Sequence, residues 1–346
     1  MASALTDRHV FACLLATSLV AGCSSAAPAT PPGDAGPPAA ASPTSGVLVG
    51  TEPYIWADNP TTHIFTMNAD GSGKKILTDD HGNRTPTWSC DGSQIYYVSQ
   101  ADIWVMDADG GNKRQVTSGV RASAPSVACD GTLVFGSFSD TTAKATIWIL
   151  DPGSSAPRLI SNENDFDGAA RISPDATKVV YTRYLDFDPA TATDSARELF
   201  VINSDGSGER QLTFTTDDAN APNANAPGWS PDSKQIAFFN GFEETGPGRT
   251  TPDVRNLAVI NADGSGKHYL THCDVMTSSI TDSKSPGSCA DDPNWAPDGK
   301  WILYSSAGVG VGMNTYFIAT DGNGAPVELL PGLLLFGNGG GRPLKY

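Results

Sequence analysis

Few side chains in this chain are suited to chemistry, and they fall into three groups. After the first 22 residues there are four histidines, His63, His81, His268 and His272. His268 and His272 are four apart near the end of a strand-like run, which separates them by ~13 Å if extended, too far for one metal ion. His63, His81 and His272 fall in different repeats but on the side that carries the long loops, and are the candidates for a three-histidine metal centre. Six cysteines are present; Cys13 and Cys23 lie near the start, leaving Cys90, Cys129, Cys273 and Cys289. Four cysteines allow three pairings. Cys273 and Cys289 bracket one insertion and are expected to clip it. Cys90 and Cys129 occupy the same turn position in successive repeats and remain to pair, provided their Cα atoms come within the ~7 Å a disulfide spans. The third group is acidic: Asp79, Asp80, Asp165, Asp167, Asp186, Asp188, Asp217, Asp218, Glu243, Glu244, Asp291 and Asp292, with Phe242 beside Glu243. Converging carboxylates suit Ca²⁺, which takes 6–8 oxygens, or a cationic partner. No His-Glu-x-x-His, phosphate-binding loop or Gly-x-Ser-x-Gly turn occurs.

These residues stand in a chain of 346 residues with 36 glycines, 25 prolines and a net charge of −16. So many breakers exclude a helical bundle, and the charge excludes a nucleic-acid binder, which needs clustered Lys and Arg. Val10 to Ala21 is an apolar run too short to span a bilayer and of signal-peptide length. It ends in Val20-Ala21-Gly22-Cys23, which resembles the lipobox of bacterial lipoproteins. The resemblance implies cleavage after residue 22, acylation of Cys23 and attachment to the cell envelope by lipid alone. Residues 24–45 lack aromatic residues and apolar periodicity, so they read as a solvated tether.

From residue 46 to 346 a two-part pattern recurs. The first part is Pro86-Thr87-Trp88-Ser89-Cys90-Asp91-Gly92, with relatives at Pro125, Arg171, Pro227-Gly228-Trp229-Ser230-Pro231-Asp232 and Pro293-Asn294-Trp295-Ala296-Pro297-Asp298-Gly299. The second is an apolar strand followed by a hairpin of the Asn-Ala-Asp-Gly-Ser-Gly type and a short strand ending in Leu-Thr. Its strands begin at Ile64, Ile103, Ile147, Leu199, Leu257 and Tyr316. Each repeat is expected to give four short antiparallel strands, A to D, joined by tight turns. Such sheets bury both faces only by packing around an axis. The tryptophans are expected in the core between sheets, and the Asp-Gly-Ser-Gly turns to be plain hairpins rather than calcium loops. The expected fold is all-β, a six-bladed propeller closed by pairing of residues 342–346 with the first blade.

The Trp-Ser-Pro-Asp-Gly and Asn-Ala-Asp-Gly-Ser-Gly motifs resemble the TolB-like propeller family, over residues 46–346. TolB carries an α/β domain ahead of its propeller, where this sequence has the Pro/Ala/Ser stretch. Prolyl oligopeptidases use the same propeller type ahead of a hydrolase domain, whose nucleophile turn is missing here. The A–B and C–D turns are uniformly short, so one rim is plain. The other carries the insertions at residues 184–197, 213–226, 242–255 and 271–292, and the acidic clusters. Variable loops on a rigid scaffold are where binding sits. The expected function is non-catalytic capture of an envelope protein, peptide or glycan on that rim by a monomer. The alternative is a metal-dependent polysaccharide lyase or hydrolase at the channel mouth.

Overall fold

The computed structural model describes residues 46–52, 62–139, 144–163, 165–188, 196–214, 223–242, 254–271, 291–308, 311–324, 326–330 and 344–345. The signal and tether with Cys23, together with Asp217, Asp218, Glu243, Glu244, His272, Cys273 and Cys289, lie outside them. Phe242, Asp291 and Asp292 are placed by backbone alone.

All the regular structure described is β-strand. The chain opens with β1 (Val47–Glu52), β2 (His63–Asn68) and β3 (Lys75–Ile76). Next come β4 (Arg84–Trp88), β5 (Gln94–Ser99), β6 (Asp102–Asp107) and β7 (Arg114–Gln115). Then β8 (Ala122–Val127), β9 (Leu133–Ser139), β10 (Lys144–Leu150) and β11 (Arg158–Leu159) follow. They are succeeded by β12 (Phe166–Ile172), β13 (Lys178–Leu185), β14 (Ala196–Asn203) and β15 (Arg210–Gln211). After these stand β16 (Asn223–Trp229), β17 (Gln235–Phe242), β18 (Val254–Asn261) and β19 (His268–Tyr269). The last are β20 (Asp291–Trp295), β21 (Trp301–Gly308), β22 (Val311–Ala319), β23 (Val327–Leu330) and β24 (Leu344–Lys345).

These strands form a β-propeller of antiparallel four-stranded sheets. Four sheets are separate: β24-β1-β2-β3, β4-β5-β6-β7, β8-β9-β10-β11 and β20-β21-β22-β23. Strands β12 to β19 form one eight-stranded sheet whose two halves touch through a single parallel pairing, Arg197 with Asn223. The first sheet takes its innermost strand from the far end of the chain, with Val47 opposite Lys345 and Leu48 opposite Leu344.

The repeated residues explain the repeated geometry. In the A–B turn, Ser89 Oγ donates to Asp91 Oδ1 at 2.6 Å, and the Gln94 amide donates to Ser89 Oγ at 3.0 Å. Ser173 with Asp175 and Ser230 with Asp232 repeat this arrangement. The C–D hairpins close in the same local way. Asp70 Oδ1 accepts both the amide and the hydroxyl of Ser72, as Asp205 does from Ser207 and Asp263 from Ser265. The terminal Thr of each Leu-Thr also has a purpose. Thr78, Thr117, Thr213 and Thr271 each accept, through Oγ1, a C-strand amide at 2.8–2.9 Å, and Ser161 does so in the third sheet. Each hydroxyl thus satisfies an amide beyond the reach of the short D strand.

Apolar clusters lie between successive groups of four strands. Trp88 packs with Val49 and Ile95, Trp229 with Val180 and Leu199, and Trp295 with Phe239 and Leu257. A further cluster joins Trp301, Leu303 and Phe317 to Leu48, Phe65 and Met67, so the last sheet packs on the first. The indole N–H of Trp229 donates to the Arg171 carbonyl at 2.9 Å, and that of Trp295 to the Gly228 carbonyl at 3.1 Å, stitching neighbouring inner strands. Gly228 is required there, because a Cβ would meet the Pro293 carbonyl oxygen at 2.6 Å.

Candidate functional site

The two rims differ in what they present. On the turn rim, the inner strands β4, β8, β12, β16 and β20 surround a cavity of about 280 Å³. Thr87, Ser126, Arg171, Trp229, Asn294 and Trp295 line its wall, with Pro174, Pro231 and Pro297 at the turns. In the second and third sheets cysteines stand where those prolines would be, and Cys90 and Cys129 are joined by a disulfide. Their Cα atoms are 4.8 Å apart, well inside the spanning limit, because the A–B turns converge toward the axis. The aspartates of this rim are engaged with their own turns. The Ser89 hydroxyl, followed by the Ser93 amide, holds Asp91 down at about 2. Sequence reasoning missed this cavity, although its lining comes from the recurring Pro-x-Trp segment.

On the loop rim, Asp79 is exposed and lies 3.6 Å from the Lys113 ammonium. Asp80 accepts from the Asn83 side-chain amide at 3.0 Å. His63 Nδ1 is 2.9 Å from the Thr78 carbonyl oxygen, and the His63 and His81 rings are 5.1 Å apart. Among the described residues no group of three or more His, Cys, Asp or Glu is arranged to hold a metal ion.

Asp167 belongs to strand β12 and is 0% exposed, rather than standing in a solvated connection. Arg183, opposite it in β13, donates to both carboxylate oxygens, Nε to Oδ1 at 2.8 Å and Nη2 to Oδ2 at 3.0 Å. The same guanidinium reaches Glu209 at 2.9 and 3.1 Å and Asp165 at 3.2 Å, and it lies 4.4 Å above the Phe200 ring. The Tyr181 hydroxyl donates to Glu209. Three carboxylates therefore share one cation. Burial dominates at Asp167 and pushes its carboxyl up to about 6, against the pull of Arg183 and with the push of Asp165 and Glu209. At Glu209 burial also pushes upward, but the bonds from Arg183 and Tyr181 prevail and hold it below its ordinary value.

Directly above this node is an aromatic patch. Phe166 lies between Asp165 and Asp167 in sequence, and its ring centroid is 3.9 Å from Phe187, 5.2 Å from Tyr184 and 6.4 Å from Phe138. Phe138, at the end of β9, is 39% exposed, and the other three rings are half-buried. The Arg197 guanidinium sits 4.8 Å over Tyr184. Asp186 and Asp188 are exposed on either side of Phe187. The sequence placed Asp165, Asp186 and Asp188 on this rim; what it could not supply was their convergence with Phe138 of the neighbouring sheet.

Residues 42–223 match the TolB beta propeller domain. TolB from Acinetobacter baumannii superposes with a TM-score of 0.58 at 18% identity, covering 81% of this chain and 62% of that one. Hydrazine synthase from Kuenenia stuttgartiensis gives 0.61 at 14% identity, over 83% of this chain and 45% of that one. A curated relative, dipeptidyl-peptidase 5 of Porphyromonas gingivalis, is 39% identical over 69 residues, which are 20% of this chain and 9% of that protein. The chain thus spans less than two thirds of each of these proteins.

Proposed function

This chain belongs to the TolB beta propeller family, and from that premise we propose that it is a lipid-anchored envelope protein that binds a protein, peptide or glycan partner without catalysis. In this reading residues 1–22 are the export signal, 23–45 the acylated cysteine and tether, and 46–346 a monomeric propeller of six blades. The count of six is supported by the single pairing that joins β12–β15 to β16–β19 and by the apolar clusters between all successive groups of four strands, last to first included. Export fits the family and the Val20-Ala21-Gly22-Cys23 sequence.

The observation that carries the binding face is the aromatic patch of Phe138, Phe166, Tyr184 and Phe187 among carboxylates, at the rim where the long insertions arise. Exposed aromatic residues are enriched at interface centres, with charged groups around them at the rim. Two experiments test the proposal. Changing Cys23 to Ala should release the protein into the soluble fraction of osmotically shocked cells; retention on the membrane rejects the anchor. A photo-crosslinking residue at Asp79 or Asp188 should trap a partner in intact cells, whereas one at Asp130 or Asp298 on the turn rim should not. The reverse pattern moves the working face to the turn rim.

A further inference from the structure

We propose that the aromatic patch seats a lysine or arginine side chain of a basic peptide segment in the partner, an inference that rests on the loop rim being the binding face. Three observations carry it. The first is that aromatic surface reaches solvent: Phe138 is 39% exposed, and Phe166, Tyr184 and Phe187 are half-buried. An aromatic face attracts a cation within ~6 Å of its centroid.

The second is that the fold already uses this chemistry on its own residues within the same site. Arg197 lies 4.8 Å over Tyr184, and Arg183 lies 4.4 Å over Phe200 with carboxylates at its edge. A guanidinium stacked on a ring and bonded at its rim to carboxylate is therefore a local arrangement that this seam accommodates.

The third is the charge balance. Below the patch, Asp165, Asp167 and Glu209 share the single guanidinium of Arg183. Asp186 and Asp188 are exposed on either side of Phe187, and Arg197 lies over Tyr184. Negative charge is in excess at the node, so an incoming cation is attracted and an acidic segment is repelled. A neutral sugar could stack on the rings but would gain nothing from that charge.

The test uses the mature chain carrying Cys23→Ala and two probes, a (Gly-Arg)₃ peptide and a chitohexaose glycan, followed by calorimetry and residue-resolved spectra. The peptide is expected to bind and to perturb Phe138, Phe166 and Phe187. Phe138→Ala, which changes no charge, should weaken it at least about fivefold, and Asp186→Asn with Asp188→Asn should weaken it by about tenfold. Asp70→Asn with Asp263→Asn removes the same charge from the other rim and should leave affinity within about twofold, which separates a site from general attraction to an acidic protein. Thermal melts of each variant check folding; if Phe138→Ala unfolds, the exposed Asp186 and Asp188 pair decides. Unchanged affinity in the patch variants overturns the inference. Chitohexaose occupying the patch while the peptide does not also overturns it but leaves the loop-rim reading standing. Peptide binding mapped to the turn rim removes both.

Discussion

Replacing Asp167 with Asn should erase a pH dependence that this buried carboxylate imposes on stability. Asp167 is fully buried, and burial raises its carboxyl to about 6 from an ordinary value of 3.8. The folded state therefore binds a proton between these values that the unfolded chain does not bind. Stability must then fall as pH rises through this window and increase as pH drops through it. The full difference is on the order of 3 kcal/mol, reached below the unfolded value. Between pH 7 and pH 5 the linkage relation gives on the order of 1 kcal/mol of added stability. For a domain of this size that is a rise of roughly 2–3 °C in Tm. The carboxylates with lowered values, Asp91 at about 2 among them, remain ionised in both states across this range and contribute little. Chemical denaturation at pH 5, 6 and 7 should show the wild type gaining stability toward pH 5. Asp167→Asn keeps the shape and two polar atoms but cannot titrate, so its profile should be flat. A wild type that loses stability toward pH 5, or an Asn variant with the same slope as wild type, would refute the assignment of a raised, desolvation-dominated group.

The remaining expectations concern the frame. Gly228→Ala places a methyl 2.6 Å from the Pro293 carbonyl oxygen and should also disturb the Trp295 bond to Gly228, costing about 2–3 kcal/mol in urea titrations; a loss under about 0.5 kcal/mol would mean that the inner strands can separate freely. Cys90→Ala with Cys129→Ala opens a crosslink between positions 39 apart in sequence and should cost about 4 kcal/mol by loop-closure entropy, read as a lower midpoint with the propeller spectrum retained.

Much of the frame is legible in the sequence because its determinants are local. Asp70 and Ser72, or Ser89 and Asp91, satisfy each other within a few residues, so spacing alone identifies the turn. The tryptophans recur in register and each fills the seam before its own sheet. The apolar strands at Ile64, Ile103, Ile147, Leu199, Leu257 and Tyr316 lie within β2, β6, β10, β14, β18 and β22. What escapes such reading is set by pairing between strands and by packing between sheets. Asp167 looks like one more rim acid until β12 pairs with β13 and brings Arg183 opposite it. Glu209 joins them from the far side of a C–D hairpin, 26 residues from Arg183. Phe138 meets Phe166 across a seam that no motif marks. The closeness of Cys90 to Cys129 is equally hidden, since neighbouring turns approach only where the strands converge on the axis.

The pairing of β24 with β1 makes the order of folding uneven. Every other antiparallel pair described joins strands that are neighbours in sequence, so its contacts are local. The seam at Val47 and Lys345 joins positions about 300 residues apart, and closing a loop of that length costs about 2.7 kcal/mol more than closing a 15-residue hairpin. This pairing is therefore expected to form after the local hairpins on folding. Among the described residues, two paired positions and the cluster around Leu48, Phe65, Trp301 and Phe317 hold the seam. Opening at this seam should therefore show as faster amide exchange at the β1 positions that face β24 than at the corresponding positions of β5, β9 and β13.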